Sequence, residues 1–264
     1  MNVDYVKRFG LINWLGLFTL IVRERKRFSS VWTQTLLAPI VTSVLFLSVF
    51  SLVLSSRKVG IEAKNYTIFI APGILMMTVI QNSFANTSSS ILISKVQGNI
   101  VDTLMPPLSP LEMTLGYMIG GMLRGIFVAM AVVLTIFPAI GLIPEKPVIM
   151  IIFILIASSE LALLGIIAGI ISQKFDHMQA VTNFVITPLS FLSGTFYSIE
   201  ALPPFFAKIS SYNPIFFLID GVRYGAIGSS DGNIIVNFTG SVLICVFLIL
   251  LCMYWFTKGY KLRN

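Results

Sequence analysis

The chain has 264 residues, 56% of them apolar and 11% charged, with a formal net charge of +7 and a mean hydropathy of +0.91. Soluble domains carry about 25% charged residues, so this composition excludes a soluble globular protein and describes an integral membrane domain. No polar stretch is long enough to build a soluble catalytic domain, and a single membrane domain over residues 1–264 is expected.

The first apolar stretch, Phe9–Val22, is short for a span, which takes about 20 residues. Lys7 and Arg8 precede it; Arg23, Arg25, Lys26 and Arg27 follow it. Within residues 1–30 it is expected to form an interfacial helix, with Trp14 at headgroup level and the RERKR cluster facing anionic lipid. A seventh span is the other reading. RERKRF is the opposite of the small-residue site at which a signal peptide is cleaved.

Six nearly uncharged stretches then occupy residues 31–257: Val31–Leu54, Ile68–Ile93, Met113–Phe137, Val148–Ser172, Ala180–Tyr197 and Ile234–Phe256. Each is long enough to cross a ~30 Å hydrocarbon core as a helix, so six spans are predicted, with a short tail over 258–264. Pro39 is a candidate kink in the first. The second turns polar in QNSFANTSSS, where Gln81, Asn82 and Asn86 either line a substrate path or bond between helices.

Two charges stand inside spans. Arg124 lies about 18 Å from one boundary and Glu160 about 18 Å from the other, at 1.5 Å per residue, which puts them within about 6 Å in depth. Charges so deep face protein or water and find partners, so Arg124 and Glu160 are predicted to pair or to share one polar network. Cys245 and Cys252, at i and i+7 in the last span, read as small apolar residues and not a disulfide. The single histidine, His177, falls in the polar turn QKFDHMQ.

The segment 94–110, SKVQGNIVDTLMPPLSP, joins the second and third spans. A short amphipathic helix fits Asn99–Met105, with Ile100, Val101, Leu104 and Met105 on one side and Asp102 and Thr103 on the other. Pro106 and Pro107 stop it. Such an element is either a stiff turn or a docking device that carries force from a cytosolic partner into two spans.

Residues 198–231 are too apolar for a solvated loop and too interrupted to cross. Pro203–Pro204 and Asn213–Pro214 divide them into two predicted half-helices dipping into the outer leaflet, tolerable where protein covers their ends. Asn213 as N-cap with Pro214 at the first helical position is a sound start, and Asp220 and Arg223 are spaced to pair locally.

Placing the amino terminus inside puts Lys7, Arg8, Arg23, Arg25, Lys26, Arg27, Lys95, Lys174, Lys258, Lys261 and Arg263 on the cytoplasmic side. Arg57, Lys58, Lys64, Lys146, Lys208 and Arg223 then lie outside. By the positive-inside rule both termini are expected in the cytoplasm. The positive charge is therefore topology and not nucleic-acid binding. No phosphate-binding GxxxxGK[ST], HExxH, GxSxG or Cys/His metal spacing occurs, so no catalysis and no cofactor are expected of this chain.

The pattern resembles the ABC-2 type permeases, membrane subunits of ATP-driven exporters. APGILMM (Ala71–Met77) resembles the family's start of span two. GNIVDTLMPPLSPLEMTLG (Gly98–Gly116) is similar to its short helix, prolines and Pro-Leu-x-x-x-E. LSGTFYSIEALPPFFAKISSYNPIFFLIDGVRYGAIG (Leu192–Gly228) resembles its LSG-x-FY…LP…NP…DG-x-RY…G signature, with Gly194, Tyr197, Asn213, Pro214, Asp220 and Arg223 as motif positions. Ser198 departs from the proline often found after the aromatic pair.

The resemblance implies that Asn99, Ile100, Val101, Asp102, Leu104, Met105, Pro106 and Pro107 form a coupling element seated in a groove of a separate ATPase, with Gln173–Gln179 making a lesser contact. It implies two copies of the chain (or a heterodimer) with two ATPase subunits in a bacterial inner membrane, surrounded by its lipids. ATP and Mg would be held by the ATPase, and a lipid, drug or lipid-linked glycan would move outward between the membrane subunits. An ATP-independent scramblase or secondary transporter and a membrane scaffold are the competing readings; the first is disfavoured because no internal repeat is visible.

Overall fold

In hydrocarbon every backbone N–H and C=O must be satisfied within its own segment, which leaves this apolar chain the helix as its local solution. The computed structural model describes residues 12–56, 60–199, 202–203, 205, 208, 210 and 213–261, with the backbone alone at 53–56 and 60–65. No strand occurs among the described residues. In chain order the helices are α1 (Trp14–Ser30), α2 (Trp32–Ser56), α3 (Gly60–Val96), α4 (Ile100–Leu104), α5 (Pro110–Ile140) and α6 (Pro147–Ile171). After them come α7 (Phe175–Val181), a π-helical turn (Thr182–Ile186), α8 (Thr187–Leu192), α9 (Pro214–Ile227) and α10 (Ile234–Lys258).

Five of these, within α2, α3, α5, α6 and α10, are long and apolar enough to cross a membrane among the described residues. The fifth predicted span, Ala180–Tyr197, coincides with the interrupted run α7–π–α8, which ends at Leu192. Its irregularity has a local cause: Pro188 has no N–H to give and its ring opposes the carbonyl of Phe184 one turn earlier. The turn before it is widened, and the N–H of Thr187 reaches back to the carbonyl of Thr182. Pro39, by contrast, stays inside an uninterrupted α2.

α3 is the axis of the bundle. Its span is 72% buried, against 22% for that of α2 and 17% for that of α10. Close approach makes this possible. A Cβ on Gly165 of α6 would lie 2.1 Å from Thr87 Oγ1 and 2.5 Å from the carbonyl oxygen of Phe84, and one on Gly121 of α5 would meet Ala162 at 2.6 Å. Thr87 uses that proximity to donate a 2.7 Å bond to the carbonyl of Ala162. The polar residues of α3 therefore act first as helix-to-helix contacts, a role small and hydroxylic residues fill where no hydrophobic force drives association.

α1 differs from its expected form. The part before Ile12 lies outside the described residues, but the helix runs on through the basic cluster to Ser30. It lies along α5, with Leu20 seated on Gly116 and Glu24 on Gly120. Trp14, Leu15 and Phe18 remain exposed on its other side. Arg25 and Lys26 also face outward.

Candidate functional site

One end of the bundle carries α4. Lys95, at the end of α3, donates to the carbonyls of Ile170 (2.6 Å), Ser172 (2.7 Å) and Gly169 (3.3 Å), capping the last turn of α6 with a cation. Beyond it the chain turns and forms α4, only five residues long. Ser109 and Glu112 then make a reciprocal capping box at the start of α5, with Pro110 at its first position. Glu112 also accepts the backbone N–H of Asn13 at 2.9 Å, so the starts of α1 and α5 are tied together.

α4 turns a different side outward from the one its pattern suggests. Ile100, expected on the docking face, is only 7% exposed and packs with Leu20, Ile91, Met113 and Tyr117. Leu104 is partly buried against the same cluster. Val101 at 43%, Met105 at 75% and the exposed Asp102 are the residues presented, with Asn99 and Pro106 exposed and Pro107 half-buried beside them. Thr103, read as polar and outward, is buried, and accepts a 2.8 Å bond from Arg23. The reversal arises because α1 covers α4: a groove of about 370 Å³ between them is lined by Gly16, Thr19, Arg23, Asp102, Thr103 and Pro107, among others.

The basic cluster contains a buried acid. Glu24 is 0% exposed. Its carboxylate accepts from Ser90 (2.7 Å), Arg23 (3.3 Å) and Arg27 (3.2 and 3.3 Å). Arg27 continues to Ser89 (3.1 Å) and to Asn86, on its carbonyl (2.5 Å) and side chain (2.9 Å). Arg23 reaches the Tyr117 hydroxyl at 3.0 Å. Burial alone lowers the pKa of the Arg23 guanidinium, but Tyr117 and Glu24 outweigh it and the net direction is upward. The expectation that this cluster faces lipid thus needs correction in part: Arg27 and the 43%-exposed Arg23 bond a shared carboxylate, while Arg25 and Lys26 face outward.

Arg124 and Glu160 do not pair. Arg124 donates to Asn82 Oδ1 at 3.1 Å, and its Nε has no partner. Glu160, 2% exposed, has an Oε1 without a partner. Equal depth did not imply a shared partner: Arg124 bonds α3, and no bond joins it to Glu160 among the described residues. Of the expected path residues, Asn82 meets Arg124, Asn86 meets Arg27, and Gln81 is half-buried beside them. Cys245 and Cys252 are both free, and His177 is exposed in α7. No group of three His, Cys, Asp or Glu side chains is gathered for a metal among the described residues.

The opposite end holds the third motif. Gly194 takes a left-handed conformation, φ +78°, that turns the chain back after α8. The turn lies so close to Gly73 of APGILMM that a Cβ there would sit 2.3 Å from the carbonyl oxygen of Thr195. Tyr66 donates to the carbonyl of Phe196 (2.7 Å) and Tyr197 to that of Leu192 (2.5 Å). Asn213 caps α9 as expected, accepting the N–H of Ile215 at 3.0 Å ahead of Pro214, and also donates to Ser193. α9 has 14 residues, too few to cross, and the preceding half of the segment lies largely outside the described residues.

Asp220 and Arg223 are both 0% exposed, yet they do not bond to each other. Asp220 accepts from Asn237 (2.7 Å), Ser230 (2.6 Å) and the N–H groups of Asp231 and Gly232, fastening the loop before α10. Arg223 lies 4.0 Å over the Phe69 ring and donates to the carbonyl of Gly194. Each has better partners at hand than the other, since backbone groups at a chain reversal must be satisfied wherever they are buried.

Sequence reasoning missed Glu24, Tyr117, Lys95 and Gly73 as junction residues. A signal existed for Glu24, the lone acid in a basic run. Residues 16–227 match the family model described as ABC-2 type transporter. The chain is similar to the inner membrane transport permease YadH of Escherichia coli (strain K12), at 34% identity over 251 residues, covering 95% of this chain and 98% of that protein. YadH of Shigella flexneri aligns to the same extent. Nodulation protein J of Rhizobium leguminosarum bv. viciae is 28% identical over 101 residues, covering 38% of this chain and 35% of that protein. The first match begins at Gly16 in α1 and closes at Ile227, the last residue of α9, so it takes in the α4 junction, the polar side of α3 and the Gly194–Arg223 turn. This protein belongs to the ABC-2 type transporter family.

Proposed function

We propose that the chain is the membrane subunit of an ATP-driven exporter in a bacterial inner membrane, with the α4 end and both termini in the cytoplasm. Two copies work with two separate ATPase subunits, which hold ATP and Mg, and a lipid, drug or lipid-linked glycan moves outward between them. The observation that carries this reading is α4. Its Val101, Asp102 and Met105 face outward, while Ile100 and Thr103 anchor it to α1, α3 and α5. An ATPase seated on that surface pushes on three helices at once.

Pairing of two copies is supported by the run α7–π–α8 and by α2. Phe184 is 81% exposed, Leu192 and Val185 are exposed with it, and α2 presents Leu37, Val41, Leu45, Val49 and Leu52. Such weakly packed spans gain partners when a second copy covers them.

The test is co-expression with candidate ATP-binding proteins, affinity purification through the permease, and assay of vanadate-sensitive ATP hydrolysis in the eluate. A stoichiometric ATPase with vanadate-sensitive turnover is expected. Transport that persists in vesicles free of any ATP-binding protein would replace this reading with ATP-independent movement.

A further inference from the structure

The polar side of α3 is matched by a charge at each successive turn. Ser90 bonds Glu24, Asn86 bonds Arg27, and Asn82 bonds Arg124. From Ser90 to Asn82 this row runs about 12 Å along the helix, from the α4 end toward mid-span. Its charges do not balance. Arg23 and Arg27 share the one carboxylate of Glu24. Among the described residues no carboxylate bonds Arg124, which donates to the neutral Asn82.

An unneutralised arginine within a span is expensive and marks a site for charge. Gln81, Asn82, Ala85 and Ser89 are half-buried along the same stripe, as are Arg27 and Arg124, so the row is open on one side. A second copy offers no exposed carboxylate from its spans among the described residues, because Glu112 and Glu160, the acids within them, are 3% and 2% exposed.

We propose that this row binds the phosphate-bearing headgroup of an anionic amphiphile in the leaflet at the α4 end, with Arg124, Asn82 and Gln81 as its deepest ligands and Arg27 and Ser89 at its mouth. The inference rests on the export reading above and assigns its substrate a chemical class. The guanidinium of Arg124, half-buried and bonded through one nitrogen to Asn82, supplies further donors, and guanidinium–phosphate pairing supplies the strength. Acyl chains of such a ligand stand among the apolar faces of α2 and α5.

The experiment is native mass spectrometry of the full-length, delipidated permease titrated with phosphatidylglycerol or with the phosphate-free diacylglycerol of identical acyl chains. Phosphatidylglycerol is expected to bind about tenfold more tightly, the worth of one charge-assisted contact. Arg124→Gln should bring the two lipids to parity, Arg124→Lys should keep most of the preference, and Lys258→Gln, remote from the row, should leave it unchanged. Equal binding of the two lipids to the unaltered protein, or a preference that survives Arg124→Gln, overturns the proposal. Displacement of phosphatidylglycerol by an equal concentration of inorganic phosphate assigns the row to a soluble anion and overturns its lipid character. Should Arg124→Gln fail to yield monodisperse protein, the comparison of the two lipids on the unaltered chain and on Asn82→Leu still decides. No ATPase takes part, so a failure here leaves the coupling reading standing, and the reverse holds as well.

Discussion

Glu24 and Ser90, 66 positions apart in the chain, are joined by a 2.7 Å hydrogen bond that fixes α1 to the polar side of α3. The same carboxylate holds Arg23 and Arg27. Glu24→Gln keeps the shape and removes the charge, leaving two guanidinium groups near hydrocarbon with neutral partners only. The expected loss is about 1.5–3 kcal/mol, the range for hydrogen bonds to charged groups. It would be read as a lower melting temperature and reduced monodispersity in detergent. A shift within about 0.5 kcal/mol, the size of an ordinary surface change, would mean the clasp contributes nothing.

Gly165 should tolerate no side chain. Alanine there places a methyl group 2.1 Å from Thr87 Oγ1 and 2.5 Å from a backbone oxygen that cannot rotate away. Overpacking of this kind costs about 1–3 kcal/mol, so Gly165→Ala should lower folded yield. Leu134→Ala, at a position 75% exposed, should leave yield unchanged under the same conditions.

Arg223→Lys tests the turn at the far end. An ammonium cannot at once lie flat over Phe69 and reach the carbonyl of Gly194. Hydrogen exchange at residues 193–197 should rise by about tenfold, which corresponds to about 1.4 kcal/mol of local stability. Exchange at α4 should not change. Equal protection in both proteins would show that the Gly73 seat holds the turn without the arginine.

The two sides of α4 should respond differently. Val101→Glu and Met105→Glu place a charge on the presented surface; they should insert normally yet lose ATPase association and transport together. Ile100→Glu buries a charge in the cluster with Leu20 and Tyr117 and should instead reduce folded protein. Lys146→Glu, at the other end, should spare ATPase association. A Val101→Glu permease that keeps its ATPase at full stoichiometry and still exports would return α4 to a mere turn.

What could be read in advance follows from length and periodicity. Spans one, two, three, four and six appear as α2, α3, α5, α6 and α10 because the bilayer sets their length and their residues state it plainly. The cap at Asn213–Pro214 was legible because the chemistry is local. Azimuth was not. Nothing in the spacing of Arg124 and Glu160 says which neighbour each faces, and a five-residue helix such as α4 has no side that is certain to be outermost until α1 covers one of them. Glu24 was hidden by its company, since an acid among four basic residues reads as part of a solvated run. The unmatched turn at Thr182–Ile186 had only Pro188 to announce it.

That wide turn makes one stretch of the chain unusual in how it should bear loss of a residue. Removing a single position from a regular span swings everything beyond it by about 100° and draws it in by about 1.5 Å, presenting the wrong side to every neighbour. A π-helical turn already contains one residue more than an α-helical turn needs. Deleting one position within Thr182–Ile186 therefore closes the turn to ordinary pitch while Phe175–Val181 and Thr187–Leu192 keep their bearings. A deletion scan along the transmembrane region would find its point of tolerance here.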